Sequence, residues 1–308
     1  MSIPGSPTPG PSARAFCVAL IQLDVRDGDP RENVARAAEL LRTAPEADLY
    51  VLPELWTTGY AHATWPDAAD QDAATTRAAM RRWAEARGAW VAGSHIERRG
   101  DGALVNRLRV VGPRGEDVRY DKAHLFAPMA EPLHLAAGDR RVSVGIDGVQ
   151  AALSICFDLR FPEHYRHDAA AGAELFLVAS AWPRARAEAL RLFARARAAE
   201  NQAFLVLCNR TGAGDDGTRF AGGSCVIAPD GAIVADAGDR EGVVFAELDV
   251  AAVARARRDF PVLPLRVPSV DTLEPAPSAR AVSARVASPV RVPFPTPCAD
   301  DLAAPPPA

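Results

Sequence analysis

The sequence predicts an α/β protein: a sandwich of mixed sheets with helices outside. Three observations carry this. Short apolar runs alternate with helical patterns through both halves of the chain. Two pairs of runs are joined by Gly/Asp turns that mark hairpins, so the sheets hold antiparallel pairs as well as parallel ones. The composition, 48% hydrophobic and 24% charged over 308 residues, is that of an ordinary globular protein.

Residues 1–13 are rich in Pro, Gly and Ser and read as a flexible arm. Ala15 to Leu23 reads as the first strand. Asp29-Pro30-Arg31-Glu32 then starts a helix, with Asp29 as N-cap and Pro30 in the first turn. Asp48 to Leu52 is a short buried strand. A helix from about Asp70 to Arg87 stops at Gly88. Ala89–Ile96 and Ala103–Val111 form a hairpin around Gly100-Asp101-Gly102, and Val142–Ile146 with Val149–Ile155 a second one across Asp147-Gly148. A helix follows Pro162, then the strand Leu175 to Ser180 and a long helix from Pro183 to Asn201. Phe204–Asn209, Gly223–Ala228, Ala232–Ala235 and Val243–Leu248 read as strands, and Asp249 as the cap of a last helix. Twelve of the 26 prolines lie between Pro261 and Pro307, which excludes central strands and helices there. The division is therefore an arm at 1–13, a domain at 14–262 and a Pro-rich extension at 263–308. Pro261 to Val270 is expected to pack along a surface, and disorder is expected beyond about Asp271.

The net charge of −4 and a pI near 5.9 do not point to nucleic acid. The arginines between Arg184 and Arg197 read as a solvated helix face. Five cysteines with no C-x-x-C spacing and six histidines with no H-E-x-x-H pattern support neither a disulfide framework nor a zinc site. No stretch reads as a signal peptide or a membrane span. The expectation is a cytoplasmic protein with no metal, membrane or nucleic-acid partner.

Three strand ends carry chemistry-bearing residues. Glu54 follows Leu49-Tyr50-Val51-Leu52-Pro53, where partial burial would raise a carboxyl pKa toward that of a general base. Lys122, in Tyr120-Asp121-Lys122-Ala123-His124-Leu125-Phe126, sits among apolar neighbours in a chain with few lysines. Its charge could stand beside a developing oxyanion. Cys156 ends the apolar run Ala151-Ala152-Leu153-Ser154-Ile155 and lies six residues before a helix-starting proline. A thiol on such a sharp turn is presented as a nucleophile rather than packed in a strand. Taken singly, each has an ordinary explanation: a cap or ion pair, a surface lysine, a small core residue.

The three blocks in this order resemble the nitrilase superfamily of carbon–nitrogen hydrolases. The likeness runs from about Ala15 to Arg266 and rests on Leu52-Pro53-Glu54, on Tyr120 to Phe126, and on Ile155-Cys156-Phe157-Asp158-Leu159-Arg160-Phe161-Pro162-Glu163. It implies a Glu54–Lys122–Cys156 triad and a second glutamate at Glu131, in Met129-Ala130-Glu131-Pro132. A four-layer αββα sandwich follows from it, as does a homodimer joined by the helices after Pro162 and Pro183. Arg197 and Glu200 would be structural. The implied chemistry needs no cofactor. Cys156 attacks an amide carbonyl while Glu54 takes its proton, and Lys122 with the Phe157 backbone N–H stabilises the oxyanion.

The segment Ala181-Trp182-Pro183-Arg184 is similar to that of bacterial ω-amidases, which act on 2-oxoglutaramate and related monoamides. Trp182 and Arg184 are then expected at the substrate, with Arg184 pairing its carboxylate. Deaminated-glutathione amidase, carbamoylase, aliphatic amidase, nitrilase and acyl-transfer activities are the alternatives within the family. A binding subunit without catalysis is the alternative outside it.

Overall fold

The computed structural model describes residues 15–267. The chain divides into two units, Met1–Leu265 and Arg266–Ala308, and the first contains all the elements below. The expected arm at 1–13 and the stretch beyond Asp271 lie outside the described residues.

The first sheet comprises β1 (Phe16–Gln22), β2 (Leu49–Val51), β3 (Trp90–Arg98), β4 (Leu104–Val111), β5 (Asp117–Asp121) and β12 (Gly242–Leu248). Its strand order is β12-β1-β2-β3-β4-β5. The second comprises β6 (Ser143–Ile146), β7 (Val149–Ile155), β8 (Leu175–Ser180), β9 (Phe204–Asn209), β10 (Cys225–Ile227) and β11 (Ile233–Asp236), in the order β11-β10-β9-β8-β7-β6. In each sheet three central strands run parallel, β1-β2-β3 and β7-β8-β9, and the flanking pairs are antiparallel.

Helices cover both outer faces. On the first sheet lie α1 (Pro30–Thr43) and a second helical stretch, in which α2 (Trp65–Asp67) continues through a π turn (Ala68–Asp72) into α3 (Ala73–Arg87). Farther along come the single turn α4 (Glu131–His134), then α5 (Pro162–Ala170), α6 (Ala187–Asn201) and α7 (Ala251–Asp259). α5 and α6 pack together, and α6 rests on β9 of the second sheet. The layers are therefore helix, sheet, sheet, helix.

Strand alternation explains this layering. Val18 and Leu20 of β1 point between the sheets with Val51, Leu108, Val110, Leu153 and Leu177. Ala19 and Ile21 point the other way, onto Ala37 and Leu41 of α1 and Met80 and Ala84 of α3. A strand buried on both faces reads as a continuous apolar run, which is how the sequence writes these strands.

The local signals act as the sequence suggests in most places. Asp29 accepts the N–H of Glu32 at 3.0 Å. Gly88 closes α3 in the left-handed conformation, φ 58°. Asp147 and Gly148, φ 45° and 93°, make the β6–β7 hairpin turn. Three boundaries differ. The helix expected from about Asp70 begins five residues earlier, at Trp65, and passes through the π turn into α3. The helix expected from Pro183 begins as a 3-10 turn, Arg184–Arg186, and becomes α6 only at Ala187. Asp249 does not cap α7, whose N-cap is Val250; its carboxylate instead reaches Arg255 at 2.5 Å. Past α7, Leu263 packs against the core while Leu265 and Val267 are exposed.

The far edge of the first sheet is held by charge rather than by apolar packing. Buried Glu97 on β3 accepts hydrogen bonds from Arg107 and Arg109 on β4. Arg107 also grips Asp121 of β5 through two bonds of 2.6 and 2.9 Å. That bidentate pair fixes the residue just before Lys122.

Candidate active site

Four chain segments end at one place, beyond the carboxyl ends of β2, β5, β7 and β8. This is where α/β sheets expose their loops and where ligands enter. Glu54 follows β2. Its backbone N–H bonds the Ser180 carbonyl at 3.2 Å, tying the end of β2 to the end of β8 in the other sheet. Lys122 follows β5, and its N–H bonds Asn106 O on β4 at 3.0 Å. Gly138 N–H caps the Lys122 carbonyl at 2.8 Å, and a Cβ on Gly138 would meet the Asp121 carbonyl at 2.1 Å. Only glycine fits there, so the Gly138-Asp139 pair serves the position of Lys122.

Lys122 is completely buried between two buried carboxylates. Its Nζ lies 2.7 Å from Glu54 Oε1 and 2.7 Å from Glu131 Oε1. Glu131 opens α4, straight after Ala130 in the left-handed conformation, φ 58°. Its second oxygen accepts the Phe126 N–H at 2.7 Å. Glu54 Oε1 also accepts from Asn106 Nδ2 at 2.8 Å, and Glu54 Oε2 from the Ala181 N–H at 2.9 Å.

Cys156 lies immediately after β7, with φ 45°, an uncommon value for a residue with a side chain. The turn continues as a 3-10 segment, Cys156–Arg160. Its thiol lies against the Glu54 carboxyl and the Ala181 N–H. Buried Asp158 holds the turn. It accepts from Ile155 N–H at 2.9 Å and Tyr120 O–H at 2.7 Å on one oxygen. The other oxygen meets the His124 N–H at 2.9 Å and His124 Nδ1 at 2.7 Å. His124, Asp158 and His164 lie close enough together to suggest a metal ligand set. However, both Asp158 oxygens are already engaged by two partners each, so the cluster serves as a hydrogen-bond hub.

The electrostatics follow from burial. Burial pushes the Glu54 carboxyl up; Lys122 opposes this and Glu131 adds to it. The Cys156 thiol is pushed well above its ordinary range by burial and then by the Glu54 charge. Burial works against the Lys122 ammonium, but the charges of Glu131 and Glu54 outweigh it and keep the lysine protonated. The Cys156 thiol is thus neutral at rest, beside a carboxyl group that can take its proton. For Asp158, burial acts upward, but the bond from His124, the nearby His164 and the Tyr120 hydroxyl hold it below the usual carboxylate range. A depressed folded pKa stabilises the fold above the unfolded value near 3.9 and loses that contribution as pH falls through the folded one. Asp158→Asn should therefore cost roughly 1–3 kcal/mol at pH 7, and the cost should shrink progressively as pH falls below about 4, as read by urea unfolding over a series of pH values.

The sequence-derived residues divide clearly. Glu54, Lys122, Glu131 and Cys156 come together. Phe157 sits beside them, with its ring 4.9 Å from Phe126 and 5.4 Å from Phe161. Trp182 is buried, its N–H bonded to Asn209 Oδ1 at 2.7 Å and its ring nitrogen to Arg186 O at 2.8 Å. Arg184 does not join them: it is exposed, with its guanidinium 3.5 Å from Asp239. Asn106 and Tyr60 instead bond Glu54 and Glu131, and Arg160 lies near Cys156; none of the three was singled out from sequence.

The residues from 17 to 258 match the carbon–nitrogen hydrolase family. The chain belongs to that family. Among known relatives, the 2-oxoglutaramate amidase of Bacillus subtilis (strain 168) is 35% identical over 249 residues, 80% of this chain and 96% of that protein. The omega-amidase YafV of Escherichia coli (strain K12) is 36% identical over 245 residues, 79% and 94% of the two chains. A CN-hydrolase superfamily protein from Xanthomonas campestris, solved with an arsenic adduct in its active site, superposes with a TM-score of 0.77 at 32% identity. That match covers 86% of this chain and 99% of the other. A variant of the amidase from Nesterenkonia sp. AN1, bearing acrylamide on its active-site cysteine, gives 0.71 at 27% identity over 80% and 98% of the chains. This carbon–nitrogen hydrolase is therefore a cysteine-dependent enzyme that hydrolyses amides. Among the described residues no helix is long and apolar enough to cross a membrane.

Proposed function

We propose that the hydrolase is an ω-amidase, releasing ammonia from the monoamide of a short dicarboxylate such as 2-oxoglutaramate. The observation that carries this is a pair of guanidinium groups with no carboxylate partner among the described residues. Arg160, four residues after Cys156, stacks its guanidinium on Trp182 at 5.2 Å and Phe193 at 4.9 Å. Arg186 lies over Phe126 at 6.0 Å. Burial pushes the Arg160 guanidinium down, the Arg186 charge adds to this, and Cys156 opposes it. Arg160 lies near enough to Cys156 for their charges to interact, and the exposed Arg186 stands near Arg160; two like charges there invite an anion. A substrate carboxylate at the far end from the amide supplies one. The relatives named as 2-oxoglutaramate amidase and omega-amidase support the same reading.

In this mechanism the Cys156 sulfur bonds to the amide carbon as its proton passes to Glu54. The carbonyl electrons move to oxygen, where Lys122 Nζ and the Phe157 N–H receive the charge. The C–N bond then breaks, Glu54 returns the proton to nitrogen, and ammonia leaves a thioester on Cys156. Water, deprotonated by Glu54, attacks the thioester and releases the dicarboxylate and the thiol. Glu131 holds Lys122 in place throughout.

Ammonia release from 2-oxoglutaramate, succinamate, a neutral aliphatic amide and a nitrile tests the proposal. Arg160→Met should raise KM for the two ω-amides by about 10–100-fold, the worth of a lost charge-assisted pair. It should leave the neutral amide within about threefold. Equal losses on charged and neutral amides, or preferred turnover of the nitrile, would remove the ω-amidase reading.

A further inference from the structure

We propose that Tyr60 is a positioning residue, which fixes Glu131 and thereby sets how Lys122 divides its hydrogen bonds between the two glutamates. The Tyr60 hydroxyl donates to Glu131 Oε1 at 3.0 Å. That same oxygen receives Lys122 Nζ at 2.7 Å, while Oε2 is taken by the Phe126 N–H. One carboxylate oxygen thus accepts from a phenol and an ammonium together. On the other side, Asn106 Nδ2 and Lys122 Nζ converge in the same way on Glu54 Oε1. Each glutamate therefore presents to the lysine an oxygen already engaged by a neutral donor. That balance keeps the ammonium midway instead of letting it collapse onto one carboxylate.

The surroundings of Tyr60 support a fixed role. Its ring stacks on Phe220 with centroids 6.4 Å apart and an 18° interplanar angle, and it leans on Trp65 at 6.1 Å. Behind Phe220 lies the fully buried Arg210, whose guanidinium sits 3.9 Å from that ring and pairs with Asp27 at 2.8 Å. Asp27 in turn packs on Gly59, where a Cβ would meet Asp27 Oδ1 at 1.8 Å. Gly59, at φ 54°, is what turns the chain so that Tyr60 enters the site. The charged and titratable groups facing the phenol are Glu131, Lys122, Glu54, Cys156 and Arg210, with the His62 ring edge-on at 6.1 Å. Burial and the Glu131 charge keep the phenol protonated, so toward Glu131 it is a donor only.

Removing the hydroxyl leaves Lys122 as the sole donor to Glu131 Oε1. The ammonium is then drawn toward Glu131 and away from Glu54. Less stabilised as a carboxylate, Glu54 protonates at a higher pH. The affected quantity is proton transfer rather than substrate binding, whichever amide is the substrate.

Tyr60→Phe tests this and keeps every ring contact. Its kcat should fall about tenfold with KM within about twofold, and the acid limb of kcat/KM should move to higher pH by about half a unit. In a Glu131→Gln background, Tyr60→Phe should add less than about twofold, because the two act as one unit. An unchanged kcat and acid limb would overturn the proposal. So would a rise in KM alone, which would place Tyr60 on the substrate, or effects of the two substitutions that simply multiply. Far-UV circular dichroism and thermal unfolding of all variants exclude a folding defect. Glu131→Gln alone, with Tyr60 in place, supplies an independent shift of the acid limb should Tyr60→Phe not fold.

Discussion

Lys122→Met should lower kcat/KM for amide hydrolysis by at least about 10³-fold, because it removes two effects at once. One is the cation beside the carbonyl oxygen, and a single oxyanion donor is commonly worth about 10²–10³. The other is the charge between Glu54 and Glu131. Without it two buried carboxylates face each other across the space Lys122 Nζ now fills, 2.7 Å from each. One of them must take a proton, and Glu54, already pushed up by burial, is then no base. Stability should fall too, by about 3–5 kcal/mol, the usual consequence of breaking a buried charge pair from one side. Steady-state ammonia release, with urea unfolding alongside, reads both quantities. Turnover within about tenfold of wild type would exclude Lys122 from the chemistry. Lys122→Arg should fail nearly as badly, since a planar guanidinium cannot point three donors from one atom at two oxygens and a substrate. Composition bears on this: Lys122 is the only lysine among the 35 basic residues. Arginine serves every other cationic position, including the ionic face of β3 to β5.

The fold was largely legible because its determinants are local. Continuous apolar runs, Asp29 and Pro30 at a helix start, Gly88 at a helix end and Asp147-Gly148 in a hairpin each act within a few residues. The grouping of Glu54, Lys122 and Cys156 was legible for a related reason: each sits at a strand end inside a compact block. What sequence could not supply was the pairing between distant blocks. Asn106 lies on β4 and meets Glu54 only because the β3–β4–β5 register brings it beside Lys122. Tyr60 reaches Glu131 through an irregular turn at Gly59 that no periodicity describes. The arginine assignment failed by geometry. A 3-10 turn advances about 120° per residue, so Arg184 and Arg186 leave it in directions about 120° apart. Arg184 goes to Asp239 and Arg186 to the aromatic wall at Phe126. Arg160 lay in plain view within the Cys156 block, yet only the stack of Trp182 and Phe193 beneath it distinguishes it from a surface arginine.

Glu54→Gln should reduce kcat by about 10²–10⁴-fold, the range expected when a general base is lost, and should change the shape of the pH profile. In the wild type, Glu54 must be ionised to accept the thiol proton. Its pKa is raised by burial, so activity should be lost as pH falls through a value above the ordinary carboxylate range near 4.3. The substitution does more than remove charge. Glu54 accepts from Lys122 and Asn106 on one oxygen and from the Ala181 N–H on the other. A glutamine has one acceptor oxygen, so its NH₂ must face a donor at one end or the other. With no base, sulfur can attack only in the small thiolate fraction that the raised Cys156 pKa allows. The residual rate of Glu54→Gln should therefore climb with pH across the interval where the wild type is flat. Single-turnover measurements should place the loss before thioester formation, with no burst of ammonia. A variant that keeps the wild-type acid limb would show that another group takes the proton from Cys156.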